Sequence, residues 1–316
     1  MMAANFRSHS NLKCFLDSTT PSVASQSLPK SCMRDLNSLW HPIEKEEEVE
    51  YFTLGDLWDQ YKEWSAYGAG VPILFPDGEI VVQYYVPYLS AIQIYTTKSL
   101  SSLRVLGEES ESDSWSDDSE SEKLSRSWDA ASEDSSFDQD GSCSNNRLGY
   151  LYFHYMECCP PWGRIPLMDK VKELSQNYPG LMSFKSVDLS PASWMSVAWY
   201  PIYHIPARKN AKDLSASFLT FHTISSSFQD NVFMDCKKDI SCTSTPNFGR
   251  NSKESTNCIR LCPYGLATYK MQGNIWMNSE NSDIEKIMTL CSAADSWLKQ
   301  LRVYHHDFNF FISHAV

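Results

Sequence analysis

The chain has 316 residues, 42% hydrophobic and 13% aromatic, enough to bury a large core in one big domain or two ordinary ones. Its formal charge of −12 is local: residues 107–140 hold thirteen Asp or Glu against Lys123 and Arg126, a net −11, which leaves the rest of the chain at −1. A body so near neutral has no basic stripe with which to neutralise phosphates, so no nucleic-acid partner is expected, and no window approaches the ~18 uncharged apolar residues of a spanning helix, so no membrane is expected either.

The opening stretch MMAANFRSHSNLKCFLD lacks the apolar core of a secretory signal, and residues 1–30 read as a flexible arm with Leu12, Phe15 and Leu16 as one docking point. A short helix is predicted over 32–40, ended by His41-Pro42. Thr53 reads as an N-cap with Asp56 three residues on, opening a helix whose Leu54, Leu57, Trp58, Tyr61 and Trp64 share a face and which Gly68 and Gly70 end. Residues 80–86 and 90–96 read as two strands hinged at Val86-Pro87, because proline cannot donate to a ladder.

Composition then changes abruptly. Residues 107–146 are Ser, Asp and Glu with almost no aliphatic side chains, a segment unable to bury enough surface to offset ordering, and are predicted to be a disordered insert between neighbouring strands. Each doubling of loop length costs only about 0.6 kcal/mol, so the insert need not divide two domains. Strand character returns over 148–156, and a helix follows Pro166 with Leu167, Val171, Leu174 and Tyr178 as its stripe.

The stretch 186–206, SVDLSPASWMSVAWYPIYHIP, is apolar on both faces: Met195, Val197, Trp199, Tyr203 and Ile205 on one, Trp194, Ala198, Tyr200 and Ile202 on the other. It reads as a central strand covered on both sides, pairing through a hairpin with a strand in 214–228. A polar mobile loop is expected over 231–257, strands over 259–277, a helix behind the Ser282–Glu285 capping box, and a last strand over 308–313. Together these predict an α+β fold: a single mostly antiparallel sheet with three or four packed helices and a long disordered acidic insert, in one discontinuous domain of residues 31–106 and 147–316.

At this point the chain resembles a known family, the plant family called domain of unknown function 789. The residues that carry the resemblance are YFTLGDLWDQYKEWSAYGAGVPI at 51–73, VVQYYVPYLSAIQIY at 81–95, RIPLMDKVKEL at 164–174 and the run from SVDLSPASWMSVAWYPIYHIP to KDLSASFLTFHTISSSFQD ending at 230. The resemblance implies a land-plant source and offers no catalytic residues to carry over, since the family has no established activity. The Cys158-Cys159-Pro160-Pro161 run departs from its usual acidic text.

Read for chemistry, the sequence offers several sites and favours none. Cys236, Cys242, Cys258 and Cys262 have spacings of six and four, without the two-residue interval that structural zinc prefers, so no metal and no cofactor is assigned. Ser190 or Ser193 with His204 or His222 and Asp188 or Asp213 would suit a hydrolase, but no Gly-x-Ser-x-Gly elbow surrounds either serine. A hairpin turning near Asn210 would set His204 opposite Ala216 and His222 opposite Ala198, roughly 20 Å apart at 3.3 Å per residue. The Gly68-Ala69-Gly70 turn follows a helix and lacks the Lys-Ser/Thr of a phosphate loop. The clearest signal is in the insert, where Ser110, Ser114, Ser119 and Ser135 each have an acid three positions on, the pattern an acidophilic kinase reads.

Two functional classes follow. The preferred one is a non-enzymatic interaction or scaffold module with protein partners and a phosphorylatable acidic loop. With ten scattered cysteines and no glycosylation sequon, a reducing compartment, cytoplasm or nucleus, is expected. The other is an enzyme or small-ligand binder with a pocket near Tyr200, His204 and His222.

Overall fold

The computed structural model describes residues 10–32, 40, 48–97, 148–202, 214–228, 257–271, 273–277 and 283–314. In chain order these form α1 (Asn11–Thr19), β1 (Ser22–Ala24), β2 (Gln26–Pro29), β3 (Glu48–Tyr51), α2 (Leu54–Tyr67), β4 (Ala69–Leu74) and β5 (Ile80–Thr96). Then come β6 (Tyr150–Met156), α3 (Leu167–Ser175), α4 (Gly180–Ser183), β7 (Trp194–Pro201), β8 (Ser217–Thr223), β9 (Cys258–Arg260), β10 (Gly265–Tyr269), α5 (Gly273–Trp276), α6 (Asp283–Gln300) and α7 (His306–Ser313).

The main sheet runs β10-β8-β7-β5-β4, with β6 pairing the far half of β5; β1 pairs β9 and β2 pairs β3. Every pairing is antiparallel, so the fold is α+β with an antiparallel sheet, as its hairpin-length links imply. Thr96 lies opposite Tyr150, so the ladder on either side of residues 98–147 belongs to one sheet.

Local chemistry sets the elements as read from sequence. The Thr53 hydroxyl accepts from the Asp56 amide while the Asp56 carboxylate accepts from the Thr53 amide, a complete capping box for α2. At the other end Gly68, at φ +82°, donates its amide to the Trp64 carbonyl, a conformation that costs a residue with a Cβ. Trp58 Nε1 donates to the Leu181 carbonyl at 2.6 Å and ties α2 to α4.

Three expectations are corrected. Residues 80–86 and 90–96 are one strand: Pro87 falls after the β4 pairing ends at Tyr85 and before the β6 pairing begins at Ala91. Among the described residues strand β5 has a partner on only one side there, and the missing amide costs no bond on the other. The central strand begins only at Trp194, after a 3₁₀ turn at Ser186–Asp188, and its register sets His222 opposite Met195, not Ala198. Residues 308–313 lie in helix α7 instead of a strand. The Ser282 cap, most of the 32–40 helix and the polar loop at 231–257 except Asn257 fall outside the described residues.

The sheet is covered on both faces. On the first face Leu12 and Phe15 of α1, Leu57, Trp58 and Tyr61 of α2, and Trp276 of α5 pack over Val71, Tyr85, Leu89, Ile92, Val197, Trp199 and Phe218. On the second, Ala294 and Leu298 of α6 and Phe308 and Phe311 of α7 pack over Ala91, Trp194, Ala198, Leu219, Phe221 and Ala267. Helix α6 comes close because Gly265 has no side chain: a Cβ there would stand 2.8 Å from that of Ala294. Residues 194–199 are buried throughout, as two-sided coverage requires.

Candidate functional site

The ionisable side chains that the described fold draws together lie on the second face, under α7. Between Leu89 and Ala91 the β5–β7 register slips by one, so Ser90 is an extra residue and its side chain turns to the same face as Ala91. A bulge of this kind re-aims a side chain; here it delivers the Ser90 hydroxyl to Asp307 Oδ2. Asp307 stands in the first turn of α7, where the helix dipole favours a negative charge, and Arg164 grips it bidentately with both contacts at 2.7 Å. The Arg164 and Asp307 side chains are 3% and 8% exposed. Burial lowers the pKa of Arg164, but the hydrogen bonds and charge of Asp307 outweigh it and hold the guanidinium charged.

Arg164 also stands over the ring of Tyr200, 5.9 Å from its centroid, and donates through Nε to the Cys159 carbonyl at 2.8 Å. Tyr200 makes an edge contact with Tyr88 and its hydroxyl is pushed above its usual range, first by burial and then by Asp307. Beside it, Ser196 of β7 lies 2.8 Å from His305 Nε2. His305 caps α7: its Nδ1 accepts from the Phe308 amide at 3.1 Å.

Ser196, His305 and Asp307 are the residue types of an acyl-transfer triad, so their wiring decides what they can do. In such a triad a ring nitrogen with a free lone pair takes the serine proton, while the carboxylate holds the other N–H. Here Nδ1 must be the acceptor, because an amide donates to it. Burial pushes the ring's pKa down to about 4, so it is neutral with its proton on Nε2, pointing at Ser196. The serine oxygen therefore receives a hydrogen bond and is not deprotonated. Asp307 spends its oxygens on Ser90 and Arg164. The cluster is a strut that binds β5, β7, the segment after β6 and the start of α7.

Of the residues expected from sequence, Tyr200 belongs to this cluster, whereas His222 points to the other face. Its Nδ1 lies 2.8 Å from the Leu261 carbonyl, which can only accept, and its Nε2 lies 2.9 Å from Thr220 Oγ1. Trp199 Nε1 donates to that same hydroxyl at 3.0 Å. The chain of donors runs Trp199, Thr220, His222, Leu261, and fixes the proton on Nδ1; burial pushes this ring's pKa down to about 4 as well. Tyr200 and His222 thus do not share a pocket wall. Ser193 Oγ accepts from the Tyr95 amide, Ser190 Oγ from the Ala192 amide, and neither meets His222. His204, Asp213, Cys236, Cys242, Ser110, Ser114, Ser119 and Ser135 lie outside the described residues.

Residues 10–311 match the family model described as Protein of unknown function (DUF789). The chain belongs to that family. No curated protein and no solved structure matches this DUF789 chain. Among its described residues no helix is long and apolar enough to cross a membrane. Sequence reading missed Ser90, Arg164, Ser196, His305 and Asp307 of this member of the DUF789 family. The available signal was an acid in the turn ahead of a phenylalanine-rich run, the mark of a helix start.

Proposed function

We propose that this chain is a non-enzymatic interaction module, and that its acidic insert carries the regulation. The observation that supports this reading is the donor and acceptor order at Ser196 and His305: the serine oxygen accepts a hydrogen bond from the ring, where a nucleophile would have to donate its own proton to it. Every carboxylate oxygen and guanidinium nitrogen that meets in the cluster is engaged in holding the fold, which leaves recognition to surfaces outside it.

The insert at 107–146 supplies a surface of that kind. Thirteen acids surround Ser110, Ser114, Ser119 and Ser135 in the pattern of acidophilic kinase targets. Each phosphate would add roughly −1.5 to −2 charges and three acceptor oxygens, suited to an arginine cluster on a protein partner. Because Thr96 and Tyr150 already close the ladder, such modification would leave the sheet intact. The reading places the protein in cytoplasm or nucleus, with kinase access and reduced cysteines.

The test compares the full chain, a form lacking 107–146, and one with the four serines changed to alanine, each before and after treatment with an acidophilic kinase. Phosphate on the four serines and a partner set that changes with deletion support the reading. An identical partner set in all three forms contradicts it. So does labelling of Ser196 by a serine-reactive fluorophosphonate.

A further inference from the structure

Just past the end of strand β6, after Glu157, stand two adjacent thiols, Cys158 and Cys159, both exposed and free. Their backbone is pinned from both sides. Both amides donate to Glu157 Oε1, at 3.0 and 2.8 Å, and the Tyr155 hydroxyl donates to the other oxygen of that carboxylate at 2.7 Å. The Cys159 carbonyl accepts from Arg164, itself locked onto Asp307, and Pro160 restrains the chain beyond. Cys158 Sγ lies 3.7 Å from the Met156 carbonyl, and the neighbouring Glu157 raises the pKa of the exposed Cys159 thiol.

Two sulfurs on so restrained a backbone select their ligand. A disulfide between neighbours would twist the 158–159 peptide away from the geometry in which both amides reach one oxygen. A bridging atom with a wider bite avoids that. Among the described residues no group of three His, Cys, Asp or Glu is arranged to hold a metal, so a four-ligand zinc centre is not on offer. What fits is a soft centre satisfied by two sulfurs.

We propose that Cys158 and Cys159 form a dithiol chelate site for trivalent organoarsenicals and similar thiophiles. Two As–S bonds form, the arsenic–oxygen double bond is lost, and its oxygen leaves as water with the two thiol protons. Arsenic stays trivalent, so no oxidant is needed.

The probe is phenylarsine oxide, titrated into the reduced full chain and followed by intact mass and a tryptic map. Cleavage after Arg147 and Arg164 releases 148–164, which holds Cys158 and Cys159 and no other cysteine. One arsenical should map to that peptide, resist excess monothiol and be released by a small dithiol. Cys158→Ser and Cys159→Ser should each weaken binding about 100-fold, the loss expected when one of two linked contacts is removed. The urea-unfolded chain, with the same neighbours but no clamp, should react about tenfold more slowly. Single variants that bind as tightly as the parent, adducts mapping elsewhere, or an unfolded chain that reacts as fast would each overturn the site.

Discussion

The two faces of the sheet share apolar packing and differ in what is added to it. The first is closed by large rings: Phe15 stacks on Phe218 at 3.9 Å, and Trp199 meets Phe15, Tyr61 and Trp64 at 5.7 to 6.2 Å. Its buried His222 is absorbed in a chain of neutral donors. The second also carries rings, with Trp194 stacked on Phe221 at 5.9 Å and Phe308 edge-on to Phe221 at 5.7 Å, but it adds a close helix approach at Gly265 and a buried ion pair with a serine and a histidine attached. Non-directional burial tolerates small shifts, whereas a charged pair withdrawn from water tolerates none. The second face should therefore fail abruptly on loss of a single group, and the first by degrees.

The largest effect should come from Asp307→Ala, which leaves Arg164 charged and unpaired at 3% exposure: about 3–5 kcal/mol lost in urea unfolding. The double variant Arg164→Met with Asp307→Leu should recover most of it, because the penalty lies in the orphaned charge. If the single and double variants unfold alike, the contrast between the faces is wrong.

Acid should act on both faces together. His222 and His305 titrate near 4 when folded against an ordinary 6.5, so between these values the unfolded chain binds more protons. Their stabilisation is complete above about pH 6.5 and is lost as pH falls toward 4, on the order of 3 kcal/mol per ring. Unfolding curves from pH 7 to 4 check this, and His222→Gln with His305→Gln should flatten the dependence. A smaller step separates the faces again. Trp199→Phe keeps an aromatic ring but removes the indole donor to Thr220 and some buried volume, and Ser196→Ala removes the acceptor of His305 Nε2; each should cost at least about 1–2 kcal/mol by thermal unfolding.

Much of the first face was legible in the sequence, and little of the polar cluster. The α2 cap, the glycine stop, the two-sided apolar text of 194–199 and the return of strand character at 150 are local patterns, and the fold keeps them. The cluster joins partners 109, 143 and 217 residues apart, so no spacing could announce it. Helix α7 was hidden because Phe308, Phe310 and Ile312 alternate with the period of a strand, while its cap is a histidine ring instead of the usual serine, threonine or aspartate. The register of β7 on β8 was missed by three positions, because hairpin symmetry assumes a turn centre that the sequence does not mark.

The central claim is that Ser196 is held by its histidine and not activated by it. Two-dimensional ¹H–¹⁵N correlation of the histidine side chains at neutral pH tests this most directly. A neutral His305 protonated on Nε2 beside a neutral His222 protonated on Nδ1 is the expected result; a His305 protonated on Nδ1, with its Nε2 lone pair facing Ser196, would contradict it.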